Sequence, residues 1–221
     1  MAGYIYLPVA TQEMIDFAKD WQNGQTARGW VPYPILKNYE SGWRKGFVRG
    51  IGRGVLRGLS AQDKLFILCH GASRGSSKIG AERGAKQVYK KGVPEWEGGV
   101  MKAYDPDELA VVTEKEGLLK SFVDLRMFAC GSALIPATQA KSFAERYALA
   151  MGALGYNHLR VTGYLGAVRS SYATRQVGMT GYTQNTHKGV ELQDGGIERA
   201  ANHILVFNSD PSVAPPVDSG Q

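Results

Sequence analysis

Two apolar runs that end in the same way constrain this 221-residue chain more than any other feature. KLFILC, residues 64–69, stops at His70-Gly71, and VDLRMFA, residues 123–129, stops at Cys130-Gly131. A short apolar run bounded by glycine suits a strand buried on both faces. Between the two, Asp105 is placed to cap a helix, with Pro106 at its first position and Asp107 and Glu108 in its first turn. Leu109, Val112 and Glu116 carry that helix to Gly117. Strand, helix, strand predicts two parallel strands in a sheet covered by helices.

The rest of the chain extends this rhythm. GYIYLPV, residues 3–9, reads as a strand, and Thr11, Glu13, Met14, Ile15 and Phe17 open a helix that reaches about Trp21. Residues 23–34 read as loop. A further helix is expected over 138–154, through Phe143, Tyr147, Leu149 and Met151 to the stop signal Gly155, and 158–166 is the next strand. Residues 167–184 read as loop, VELQDGGIER as two strands around a DGG turn, and HILVF, 203–207, as the last strand. The tail, 209–221, has no core-forming content and reads as disordered. The expectation is one α/β domain over 1–208, a three-layer sandwich with a mostly parallel central sheet.

Composition narrows the setting. Two cysteines make no disulfide framework, so a reducing compartment is the default and a thiol stays available for chemistry. The N-terminus lacks a secretory leader, and no apolar run approaches a membrane span of about 20 residues. The chain is therefore expected in the cytoplasm, or delivered elsewhere by a route without a classical signal peptide.

The net charge of +6 is unevenly spread. Residues 44–57 carry Arg44, Lys45, Arg49, Arg53 and Arg57 with no acid, and Lys78, Arg83, Lys86, Lys90 and Lys91 form a second cluster. KGFVRGIGRGVLRGLS, 45–60, repeats basic residue, glycine and apolar residue at a spacing of four, which reads as a packed surface helix although its glycines disfavour one. ASRGSSKIGAERG and the residues after it, to about Lys102, read as a long basic loop. Such fields suit a polyanion in general.

His70 and Cys130 both stand where a parallel sheet meets its ligands, at the carboxyl ends of strands. If the two strands are neighbours, about 4.8 Å apart, their side chains face one crevice. An imidazole there can help generate the thiolate that attacks a carbonyl carbon. The amides of Gly71 and Cys130 are the candidate donors for the resulting oxyanion. A cysteine at a strand end also suits simple packing, and that reading stays open for Cys130. Cys69, on the opposite alternation, reads as core. His158 and His203 read as structural, and with His187 they show no zinc spacing, so no metal is expected. Asp124 and Glu145 read as solvated or paired.

The order apolar strand, His70-Gly71, capped helix, apolar strand, Ala129-Cys130-Gly131-Ser132, then SFAERYALAMGALG resembles the caspase-like cysteine peptidases of clan CD. Within that clan it most resembles the self-processing cysteine protease domains of bacterial toxins, over about residues 60–166. The resemblance implies a caspase-like fold and a His70–Cys130 dyad that cleaves a protein or peptide, itself included, through a thioester acyl-enzyme, with no cofactor required. It also implies an inositol polyphosphate as candidate activator, for which Arg49, Arg53, Arg57, Lys78, Arg83 and Lys86 are the candidate anion-binding residues; nucleic acid is not an expected partner. Two departures stand out: Gly131 follows the cysteine where the toxin domains often have serine, and the basic loop after Gly71 is long. A catalytically inactive binding module for a polyanion or protein and a Cys-His acyltransferase are the alternative expectations. The walls of a specificity pocket are expected from residues 167–190.

Overall fold

A computed structural model describes residues 1–37, 54–83, 86–90, 93–169, 174–177, 181–184, 189–191 and 197–212. In chain order the elements begin with β1 (Gly3–Leu7), α1 (Gln12–Thr26), β2 (Ile35–Lys37) and β3 (Lys64–Leu68). Next come β4 (Ile79–Arg83), β5 (Lys86–Lys90), β6 (Val93–Glu97), β7 (Val100–Tyr104), α2 (Pro106–Lys115) and β8 (Asp124–Phe128). The remainder is α3 (Phe143–Ala153), β9 (Arg160–Tyr164), β10 (Ala167–Val168), β11 (Thr174–Val177), β12 (Gly181–Gln184), β13 (Gly189–Glu191), β14 (Ile197–Arg199) and β15 (Ile204–Asn208).

Six of these strands form the central sheet in the order β15-β9-β8-β3-β1-β2. All its pairings are parallel except that of the edge strand β15 with β9. The fold is therefore α/β with a mixed, mostly parallel sheet. Local sequence explains where its helices start. The Thr11 hydroxyl accepts from the Met14 amide at 3.2 Å, and the Ser142 hydroxyl accepts from the Glu145 amide at 3.2 Å. At α2 the Glu108 carboxylate accepts from the Asp105 amide at 3.0 Å, with Pro106 opening the first turn.

The helices cover both faces of the sheet. Parallel partners share a face, so Phe66, paired with Arg126, lies on the same side as Phe128. Trp21 of α1 packs there, with ring centroids 4.9 Å from Phe66 and 4.8 Å from Phe128. On the opposite face Ala144 of α3 lies over Gly163 of β9. The Tyr147 hydroxyl of α3 donates to the Thr113 hydroxyl of α2 at 2.9 Å, which places α2 beside α3.

Strand order reverses beside β1. From β1 the chain crosses by α1 to β2 at one edge, and from β3 it moves the other way to β8 and β9. Such a reversal opens a crevice at the carboxyl ends of the strands on either side of it. The crevice thus falls where β1 and β3 end.

Several expectations need correction. The first helix runs on to Thr26, and the helix expected from 138, α3, begins only at Phe143 because residues 134–142 are turns and bends and Ser142 supplies the cap. Residues 79–83, 86–90, 93–97 and 100–104 are strands rather than loop. β4 pairs antiparallel with β7, and β5 with β6; these are short strands rich in lysine and glutamate whose alternation is weak. In the arginine-rich stretch, residues 55–58 form turns rather than helix, and 45–53 lie outside the described residues. Residues 189–191 and 197–199 do pair as two strands, although the DGG turn between them lies outside the described residues. Of the tail expected over 209–221, Ser209 is buried and its amide donates to Leu159 O at 2.9 Å, and residues 213–221 lie outside the described residues. Among the described residues no helix is long and apolar enough to cross a membrane.

Trp21 is fully buried and joins α1 to two strands. Trp21→Ala is expected to cost about 3–5 kcal/mol of stability, read as a lower urea midpoint at unchanged slope.

Candidate active site

The register of β3 and β8 carries His70 and Cys130 to the same crevice. Leu68 pairs with Phe128, and just beyond the strands the Cys69 amide still donates to Phe128 O at 3.4 Å. His70 and Cys130 follow at equivalent positions on adjacent parallel strands. The segments beyond them touch backbone to backbone. A Cβ on Gly71 would lie 2.4 Å from Cys130 O, and one on Gly131, at φ +57°, would lie 2.3 Å from Ala72 O. Only glycine at these two positions permits that approach.

The backbone donors around the cysteine sort themselves. The His70 amide donates to Gly80 O at 2.7 Å, the Gly131 amide to Gly166 O at 2.9 Å and the Ser132 amide to Ala129 O at 3.3 Å. Hydrogen bonding from the backbone of Gly71 and of Cys130, the two donors expected for an oxyanion, favours the anionic form of the Cys130 sulfur. Sγ also lies 3.9 Å from Val168 O of β10. Burial pushes the Cys130 thiol up. Backbone hydrogen bonding with Val168, with Cys130 itself and with Gly71 opposes that rise, and the charge of Glu191 adds to it. The resting group is therefore a thiol that needs a base.

His70 is tethered from its other side. Its Nε2 lies 3.0 Å from Oε2 of Glu13, a carboxylate in the first turn of α1 that is largely buried. The Phe17 ring meets the imidazole edge-on at 5.9 Å. Among the described residues no hydrogen bond joins the imidazole to the Cys130 sulfur. Glu13 engages Nε2, so a proton exchange with the thiol would use Nδ1. Three adjacent strands thus supply the row: Glu13 after β1, His70 after β3, Cys130 after β8.

Sequence reasoning missed Glu13 and Ser76. Glu13 passed as an ordinary acid opening a helix, although its place after the strand next to β3 was a usable signal. Ser76 is 1% exposed; its hydroxyl accepts from the Ala72 amide at 2.6 Å and donates to Cys130 O at 3.1 Å. Nothing in its sequence neighbourhood marks it.

Among the described residues, the candidate anion-binding cations stand apart. Arg49 and Arg53 lie outside the described residues, as does the side chain of Arg83. Arg57 is exposed beside Gly117, past the C-terminal end of α2, whereas Lys78 pairs with Asp105 at its N-terminus, 2.8 Å away. A ten-residue helix, about 15 Å long, separates them. Lys86 is exposed on β5. A groove of about 390 Å³, lined by Lys102, Tyr104, Asp107, Glu108 and Val111, carries both signs of charge and includes neither His70 nor Cys130.

The remaining polar candidates have structural surroundings. Cys69 is buried in the core, and burial pushes its thiol far up. Asp124 pairs with Arg126 at 3.1 Å, Glu145 with Lys141, and His203 with Glu198. No group of three metal-ligating side chains occurs among the described residues. Of the expected pocket segment, β10 pairs with β13 next to Cys130, and Arg169 joins Glu191 at 2.5 Å.

Comparison with protein-family models, with curated proteins and with solved structures finds no match to this chain.

Because the thiol is raised, iodoacetamide labelling of Cys130 should be slower at pH 7 than that of an exposed cysteine. It should still be rising at about pH 9, above the ordinary thiol range near 8.5, while Cys69 stays unlabelled in the folded chain. Mass-spectrometric rates between about pH 6 and pH 10 test this, and a plateau below about pH 8 would contradict it.

Proposed function

We propose that this protein is a cysteine endopeptidase of caspase-like fold. The observation that carries the reading is the register of β3 and β8, which brings His70 and Cys130 together at the crevice beside the strand-order reversal. Backbone hydrogen bonding of Gly71 and Cys130 to the sulfur and a carboxylate behind the imidazole add to it. The mostly parallel sheet with an antiparallel edge strand supports the resemblance seen in the sequence.

The steps follow from these groups. His70 Nδ1 takes the Cys130 proton, and the sulfur bonds to the carbonyl carbon of the scissile peptide while the carbonyl π pair moves onto oxygen. The amides of Gly71 and Cys130 meet that oxyanion. When the pair returns, the C–N bond breaks and the amine leaves with the proton held by His70. Water, giving a proton back to the imidazole, then hydrolyses the thioester. Glu13 holds the ring and stabilises its positive form throughout.

The same dyad would serve an acyltransferase, in which an amine or alcohol replaces water. The binding-module reading has less support, because the described cations do not converge. Inositol polyphosphate activation, self-cleavage and delivery into another cell as an effector rest on the sequence resemblance alone.

A peptide library cleaved by the purified chain tests the reaction. His70→Ala should lower turnover about 10²- to 10⁴-fold, and Cys130→Ala should abolish it. Glu13→Gln should lower kcat by roughly tenfold or more with KM little changed. Cleavage that persists in Cys130→Ala would sink the proposal; release of acyl products only to amines or alcohols would favour the transferase.

A further inference from the structure

We infer that Ser76 is a positioning residue that holds open the oxyanion hole formed by the Gly71 and Cys130 amides. This rests on the thiol-acylation reading of Cys130 above. Ser76 is buried and joins the segment after His70 to the nucleophile, 54 residues away in the chain.

Its two hydrogen bonds act on two peptide units. The unit between Cys130 and Gly131 is planar, so its carbonyl and amide turn together. Ser76 donates to the carbonyl at 3.1 Å, and Gly166 O accepts from the amide at 2.9 Å. Held at both ends, this unit cannot swing the Cys130 carbonyl oxygen into the space where the oxyanion forms, where two negative oxygens would repel. The unit between Gly71 and Ala72 is held by its amide, which donates to Ser76 at 2.6 Å. The unit before it, between His70 and Gly71, is held through its carbonyl, which accepts from the Gly80 amide at 3.1 Å, and its own amide favours the anionic sulfur by hydrogen bonding; Ser76 and Gly80 thus fix Gly71 from its two sides.

The clamp is itself anchored. Ser77 O accepts from Arg146 of α3 at 3.1 Å, and Lys78 pairs with Asp105 ahead of α2. Gly71 allows no slack, because a Cβ there would lie 2.6 Å from the Ser76 hydroxyl. The hydroxyl therefore occupies a fixed point between the two segments. Its effect is confined to reactions that put charge on a carbonyl oxygen.

Two reagents separate that role from simple structural support. With p-nitrophenyl acetate, a bond forms from the Cys130 sulfur to the acyl carbon through an oxyanion. The carbon–oxygen bond to the aryl group then breaks, p-nitrophenolate leaves with the electron pair, and the thiol proton passes to His70. Iodoacetamide alkylates the same sulfur by displacing iodide, with no oxyanion. In Ser76→Ala the acylation burst is expected to slow tenfold or more, up to the about 10²- to 10³-fold that marks outright loss of a hole donor. Iodoacetamide labelling of Cys130, read by mass spectrometry, should change less than about twofold. Ser76→Cys, which keeps a weak donor, should fall between and serves if the alanine variant does not fold. Equal loss with both reagents, or no loss with either, overturns the clamp. Wild-type acylation that is indifferent to His70→Ala instead overturns the thiol-acylation reading, whatever the Ser76 variants do.

Discussion

The crevice depends on one close approach, that of the Gly71 backbone to the Cys130 backbone. Parallel strands set about 4.8 Å apart bring their continuations near each other, but side chains would normally wedge those continuations apart. Glycine at 71 and at 131 removes the wedge, and Ser76 stitches the gap with two hydrogen bonds. The imidazole, the thiol and the two amides have fixed relations because these backbones cannot separate. A site built this way has its donors in place before substrate arrives, which is the condition under which electrostatic stabilisation is strongest.

Rigidity at the edge is inherited from the core. Trp21 wedges α1 against Phe66 and Phe128, side chains of the two strands that end in His70 and Cys130. The same helix begins at the crevice and supplies Glu13. One element thus seals one face of the sheet and orients the imidazole. Loss of packing at Trp21 would therefore reach the site through the tilt of α1, although Trp21 touches no reacting group.

The parts that were legible in the sequence are those with local signals. KLFILC and VDLRMFA announce buried strands by hydrophobicity, Asp105-Pro106 announces a helix start, and the register of two such strands follows from parallel pairing. His70, Cys130 and their amides were therefore reachable. Glu13 and Ser76 were not, because their importance comes from what folding brings beside them. A glutamate in a first turn and a serine in a glycine-rich loop have ordinary local explanations. The hairpins between Ile79 and Tyr104 escaped for a different reason: their lysines and glutamates pair across strands, as Lys90 does with Glu95 and Glu97, so charge replaced the apolar alternation that marks a strand.

The raised thiol sharpens how such a site would work. A thiolate formed at rest would be stabilised by the amides that the substrate's oxyanion needs. Burial and the charge of Glu191 disfavour that resting thiolate, so the sulfur does not hold the amides as a full anion. Were the proton to move to His70, Glu13 would already be in place to meet the new positive charge. At attack the negative charge would pass from sulfur to the carbonyl oxygen, between donors that need not reorganise.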